Sequence, residues 1–233
     1  MCGASRPHRV AGYLSSLGRM SRATFYVFDL DGTISDPVVG IGRSLNHALE
    51  YFGYPSIEES EVSQFVGPPL DQTFGSLVGS ASPEHIAALV SKYRERYADI
   101  GFSENVIYPG IREALRALEL SGIPLGLCTS KRADFADRIL QLFGIREYFR
   151  FISGGDIGIR KSDQLASLLG ERTISASSTM IGDRAVDILA AKANMLKSVA
   201  VLWGHGSVEE LKSASPNLLI ESPHELLELE NAA

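Results

Sequence analysis

The sequence predicts an α/β fold: a doubly wound parallel sheet with an all-helical segment inserted behind its first strand. Three observations carry this. Short apolar runs rich in β-branched and aromatic residues end in polar or glycine-containing turns. Amphipathic helical patterns lie between the later runs. The interval from Asp36 to Tyr108 holds no convincing strand.

In chain order, the first strand is "TFYVFDL" (24–30). "GIGRSLNHALEYFG" (40–53) and "PEHIAALVSKYRERYADIG" (83–101) follow as amphipathic helices, the second opened by Ser82-Pro83. "IEESEVSQFVG" (57–67) and "LDQTFGSLVG" (70–79) read as shorter helical pieces. A crossover between parallel strands needs only about a dozen residues, so this interval reads as a separate helical unit, 37–108, hinged near Asp36-Pro37 and Tyr108-Pro109. Further strands are expected at 123–130, 149–155, 178–183, 198–204 and 217–222. Helices at 111–122, 134–144, 163–170 and 185–194 separate them. This alternation predicts right-handed βαβ units over 23–36 and 109–233.

The 233 residues, 45% hydrophobic and 21% charged, suffice for one large domain or two small ones. A net charge of -6 argues against a nucleic acid polymer as partner. No apolar run approaches the roughly 20 residues that span a bilayer. Cys2 and Cys128 form no metal or redox spacing, which suits a reducing, cytoplasmic compartment with Cys128 as a small core residue. Residues 1–22, with four arginines and no acids, read as an extension outside the fold or the product of an upstream start codon before Met20.

In open α/β sheets ligands gather at the carboxyl ends of the strands. Asp29 and Asp31 follow the first predicted strand, Thr129 and Ser130 end the second, and Asp183 and Asp187 follow a later one. Two like charges two positions apart repel and raise one another's pKa unless a cation lies between them. Asp29 and Asp31 therefore either sit solvated in a turn with Gly32 or hold a metal.

In this order Asp29-Leu30-Asp31-Gly32-Thr33, Thr129-Ser130, Lys161 and "GDRAVD" (182–187) resemble the four motifs of the haloacid dehalogenase-like hydrolase superfamily. The resemblance implies a Rossmann-like core with a small helical cap that closes over the site. It also implies a nucleophile at Asp29 and a general acid and base at Asp31. A Mg²⁺ ion would be held by Asp29, the main-chain carbonyl of Asp31 and Asp183, with Asp187 in support. Thr129 and Lys161 would bind the transferring phosphoryl group, although Arg160 and Lys131 compete for the part of Lys161. Ser130 either joins Thr129 or caps the next helix, and Asp187 has an alternative as a helix N-terminal acid. Dehalogenases lack an acid two residues after the nucleophile, so Asp31 points to phosphoryl transfer from oxygen.

"FVGPPL" (65–70), residues 93–111 and "WGHGSVEEL" (203–211) look like phosphoglycolate phosphatase and 5′-nucleotidase members. Within the helical unit, Arg43 and Arg94 are candidates to pair with a second anion on the substrate, set against their reading as solvated helix arginines. Tyr93 and Tyr97 are expected to pack the helical core. The expectation is a Mg²⁺-dependent phosphatase for a small phosphorylated metabolite, phosphoglycolate-like or a nucleoside monophosphate. The alternatives are a sugar phosphomutase of the same fold or a non-catalytic binding module.

Overall fold

The computed structural model describes residues 24–232, so residues 1–22 and Cys2 lie outside it. The strands are β1 (Tyr26–Phe28), β2 (Ser35–Asp36), β3 (Val106–Ile107), β4 (Leu125–Thr129), β5 (Phe149–Gly154), β6 (Thr179–Gly182), β7 (Lys197–Val201) and β8 (Leu218–Ile220). The α-helices are α1 (Val38–Tyr51), α2 (Leu70–Val78), α3 (Pro83–Asp99), α4 (Ile111–Leu120), α5 (Ala133–Leu142), α6 (Lys161–Gly170), α7 (Ala185–Ala193) and α8 (Val208–Ala214).

Among the described residues, β1 and β4 to β8 form one parallel sheet in the order β5-β4-β1-β6-β7-β8. The chain winds outward from β1 to β4 and β5, then returns to β6 on the other side. Such a reversal of strand order opens a crevice at the carboxyl edge. β1 is therefore central, and its tip faces that crevice.

Alternation along β1 builds the two faces of the core. Tyr26 and Phe28 pack with Leu125 and Leu127 against α4 and α5, while Phe25 and Val27 pack with Cys128 and Met180 against α6 and α7. On α4 the buried residues Ile111, Ala114, Leu115 and Leu118 make one helical stripe. Burying a side chain of the size of Phe28 or Leu115 contributes about 1.5–3 kcal/mol.

The helices of residues 38–99 carry a hydrophobic cluster of their own, centred on Leu45, Leu49, Phe74, Leu89, Tyr93 and Tyr97. Phe135 of α5 also joins this cluster. Tyr93 and Tyr97 stack with centroids 5.4 Å apart, in the packing role expected of them. Ser82 Oγ accepts the N–H of His85 and Pro83 opens α3, as the Ser-Pro signal indicated.

The interval from Asp36 to Tyr108 is not wholly without strand. Ser35 pairs with Ile107 and Asp36 with Val106 in a short antiparallel ribbon, through which both crossings to the sheet domain run. Strands of two residues carry no periodicity to detect. Residues 59–65 form a 3-10 turn rather than an α-helix. Helix α8 and a 3-10 stretch, Pro223–Ala232, complete the described residues. Among the described residues no helix is long and apolar enough to cross a membrane.

Candidate active site

Asp29 follows β1 directly, and its N–H donates to the carbonyl of Ile181 at 2.9 Å, so the ladder carries it to the edge of the crevice. The chain then turns tightly: the N–H groups of Ile34 and Ser35 donate to Leu30 O, and that of Gly32 to Ser35 O. Gly32 has φ +82°, and a Cβ there would stand 2.1 Å from Asp183 Oδ2, so both backbone and space require glycine. Asp183 follows β6, Asp187 lies in the first turn of α7, and Lys161 is the first residue of α6.

These groups converge. Lys161 Nζ lies 2.9 Å from Asp29 Oδ2 and 2.5 Å from Asp187 Oδ1, with its side chain only 1% exposed. Carboxylate oxygens of Asp29, Asp183 and Asp187 all lie within 4.8 Å of one another. Asp183 accepts from Thr33 Oγ1 at 3.0 Å and from the N–H of His205 at 2.8 Å. Asp187 Oδ2 accepts the N–H of Arg184 at 3.0 Å. Asp187 thus serves the helix N-terminus and faces the cluster at once.

Burial, with the charges of Asp187 and Asp29 added, pushes Asp183 up to about 8. Burial also raises Asp187 to about 6, against the pull of Lys161. Burial works to lower Lys161, but Asp187 and then Asp29 outweigh it and hold the ammonium above its usual range. Three carboxylates face one ammonium, and Asp29 Oδ1 is buried without a hydrogen-bond partner. An all-oxygen donor set with excess negative charge and a free carboxylate oxygen fits a hard divalent cation.

The side chain of Asp31 stands outside that trio. Its Oδ2 lies 2.9 Å from Lys131 Nζ, and its buried Oδ1 has no partner. Burial raises the Asp31 carboxyl more than Lys131 lowers it. Thr129 is buried at the end of β4, with Oγ1 accepting the N–H of Lys131 at 3.2 Å. Ser130 and Arg94 line the same cavity as Asp29 and Asp31, about 100 Å³ in volume. Arg94 Nη2 lies 2.6 Å from Asp156 Oδ1 beside this cavity.

Arg43 is not brought there. It pairs with Glu104 at 2.7 Å, has a side chain 65% exposed, and borders a separate depression with Asn46 and Glu59. The helix explains this: Ile41 lines the site cavity, and a residue two positions further on points to a different face.

A family model described as haloacid dehalogenase-like hydrolase matches residues 26–201. The chain belongs to this family. Among curated relatives of this haloacid dehalogenase-like chain is a tyrosine-protein kinase PtkA of Mycobacterium tuberculosis, 35% identical over 83% of this chain and 67% of the relative. A 5′-nucleotidase of Pseudomonas aeruginosa is 37% identical over 82% of this chain and 87% of its own length. A phosphoglycolate phosphatase of Vibrio parahaemolyticus is 32% identical over 87% and 93%. The crystal structure of a predicted phosphatase from Clostridium acetobutylicum superimposes with a TM-score of 0.84 at 32% identity, covering 91% of this chain and 99% of the other. The expected family and its Rossmann-like α/β fold are thus both found.

Sequence reasoning weighed Lys131 only as a rival of Lys161, yet the structure sets it against Asp31. Its place directly after Thr129-Ser130 was the available signal. Thr33, part of the first motif, has no role that the sequence alone assigns, and in the structure it donates to Asp183. The contact of His205 with Asp183 is a main-chain one, which no side-chain pattern announces.

Proposed function

We propose that this haloacid dehalogenase-like hydrolase is a Mg²⁺-dependent phosphatase acting on a small phosphate monoester, phosphoglycolate-like or a nucleoside monophosphate. The observation that carries the reading is Asp29. Its carboxylate is buried at the tip of the central strand with Oδ1 unpartnered, and a fully buried ammonium sits on its Oδ2. The named phosphatase relatives support the coarser statement, a phosphoric monoester hydrolase of this family.

A phosphate monoester dianion repels a carboxylate, so attack requires neutralisation at the phosphoryl oxygens. Mg²⁺, held by Asp29 and Asp183 with Asp187 in support and the main-chain carbonyl of Asp31 as a further ligand, would supply that neutralisation. Lys161 adds a fixed positive charge on the same side, and Thr129 offers its hydroxyl to the phosphoryl group. Asp29 attacks phosphorus, and the bond from phosphorus to the leaving oxygen breaks. Asp31 gives its proton to that oxygen. Water then attacks the aspartyl phosphate, Asp31 takes the proton back, and inorganic phosphate leaves with Asp29 regenerated.

The helices of residues 38–99 would act as the cap, with the ribbon of β2 and β3 as hinge, and exclude water when seated. The leaving group would lie against Arg94 and Ser130. A cytoplasmic setting suits Cys128, a free buried thiol that burial pushes up to about 12 and so keeps unreactive.

The test is phosphate release from a panel including phosphoglycolate, nucleoside monophosphates and 4-nitrophenyl phosphate, with Mg²⁺ and with chelator. Turnover in Mg²⁺ that Asp29→Asn abolishes is expected. Absence of turnover on every ester, or full activity in Asp29→Asn, would overturn the reading.

A further inference from the structure

A chain of polar contacts leads from Asp31 out of the site and into the hinge ribbon. Lys131 Nζ lies 2.9 Å from Asp31 Oδ2 and donates to Tyr97 Oη at 2.7 Å. The same ammonium stands 4.6 Å from the centroid of the Tyr97 ring. Tyr97 Oη also accepts from Asn105 Nδ2 at 3.4 Å, and Asn105 Oδ1 accepts from Ser35 Oγ at 3.2 Å. The carbonyl of Ser35 accepts the N–H of Gly32 at 2.8 Å, which closes the circuit beside Asp31. Tyr97, Asn105 and Ser35 are buried.

The five residues come from five places in the chain: the turn after β1, the turn after β4, helix α3, the approach to β3, and β2 itself. Tyr97 belongs to the helical unit, Lys131 to the sheet domain, and Asn105 and Ser35 to the crossings between them. We propose that Tyr97 and Asn105 are positioning residues for Asp31, holding the Lys131 ammonium so that Oδ2 is occupied and Oδ1 is left for the proton of the leaving group. The inference rests on the proton-transfer part given to Asp31 above.

The physical argument is one of directed donors. A buried ammonium aims its few donors wherever acceptors are fixed, and here two are fixed: Asp31 and Tyr97. Without the tyrosine hydroxyl the cation turns to find another acceptor, and the carboxylate it holds turns with it. Proton transfer tolerates only about 0.5 Å or 10–20° of such misplacement. Because Tyr97 is supplied by α3, the acid is aimed only while α3 lies over the sheet edge.

Tyr97→Phe tests this with little disturbance, since the ring, its stack on Tyr93 and its contact with Lys131 remain. The readout is kcat/KM on two esters. 4-Nitrophenyl phosphate expels a phenolate that needs no proton, whereas glycerol 2-phosphate expels an alkoxide that does. Tyr97→Phe is expected to lower the alkyl-to-aryl ratio of kcat/KM by about tenfold or more. Asn105→Ala, one contact further out, should lower it by a smaller factor, and the aryl kcat/KM, which reports the steps only as far as phosphoryl transfer to Asp29, should stay within about twofold of wild type in both. Unfolding midpoints confirm that each variant is folded, and Tyr97→Phe alone decides the matter if Asn105→Ala is not. Equal losses on both esters, or no loss, in a folded Tyr97→Phe would overturn the inference and leave the phosphatase reading standing. Wild-type protein that hydrolyses no ester of the phosphatase panel in Mg²⁺, these two included, would overturn the phosphatase reading, and this inference with it.

Discussion

The ammonium of Lys161 lies 2.9 Å from Asp29 Oδ2, and both groups are buried. The same nitrogen reaches Asp187, so one cation separates two buried carboxylates that would otherwise face each other. Breaking such a buried pair by removing one member costs about 3–5 kcal/mol, because the remaining charges are left uncompensated. Lys161→Met is therefore expected to lower the denaturant midpoint markedly. Phosphate release should fall by about 10²-fold or more as the positive charge beside the phosphoryl group goes. Urea unfolding and a Mg²⁺-saturated assay on the same preparation check both.

Gly204 approaches the site from the turn after β7. A Cβ at this position would stand 2.3 Å from Asp183 Cβ and 2.3 Å from the carbonyl oxygen of Gly32. The second contact is with backbone, so no side-chain rotation relieves it. Gly204→Ala is expected to cost about 1–3 kcal/mol through overpacking. It should also displace Asp183, weakening activity at limiting Mg²⁺ more than at saturating Mg²⁺. Activity titrated against Mg²⁺, beside a thermal unfolding curve, separates the two effects.

Much of this arrangement was legible in the string of residues, for a physical reason. The central strands β1, β4 and β6 are short runs buried along their whole length, and Asp29 and Asp183 sit where β1 and β6 stop. Asp29 and Asp183 could therefore be placed at the sheet edge before their distances were known, whereas Lys161 followed only from the family resemblance. The ribbon of β2 and β3 was hidden because strands of two residues have no period. Arg43 was set on the correct helix, but its face follows from a rotation that only packing fixes. The link from Lys131 to Tyr97 and Asn105 joins residues far apart in sequence through side-chain direction, and no local pattern encodes it.

Metal binding should be visible in stability as well as rate. The carboxylates of Asp29, Asp183 and Asp187 crowd together with, among the described residues, Lys161 as the ammonium paired with them, so a divalent cation relieves repulsion present in the folded chain and largely absent in the unfolded one. A ligand at 100 times its Kd stabilises the native state by about 2.7 kcal/mol. Mg²⁺ is expected to raise the thermal midpoint of wild-type protein by several degrees, roughly, and a chelator to reverse it. Asp183→Asn should lose most of the Mg²⁺ response. Differential scanning fluorimetry across a Mg²⁺ series checks this without any turnover.

Glu104 predicts a pH dependence of stability away from the site. It accepts from Arg96 at 2.9 and 3.1 Å and from Arg43 at 2.7 Å, tying the end of α3 and the start of α1 to the approach of β3. The Arg96 hydrogen bond, with Arg43 in addition, outweighs burial and holds the carboxyl below its ordinary value of 4.5. A carboxyl whose pKa is lower folded than unfolded binds fewer protons in the native state, so its contribution is complete above the unfolded value. It is lost as pH falls through the folded one. Glu104→Gln is therefore expected to lower stability by about 1 kcal/mol at neutral pH. The gap from wild type should begin to close as the pH drops below 4.5, where the unfolded chain takes up the proton, and vanish only below the depressed folded value, where Glu104 is neutral in both states. Urea midpoints of both proteins measured from neutral pH down to about 3 should converge at the acid end; a gap independent of pH would show that the charge of Glu104 does not stabilise this junction.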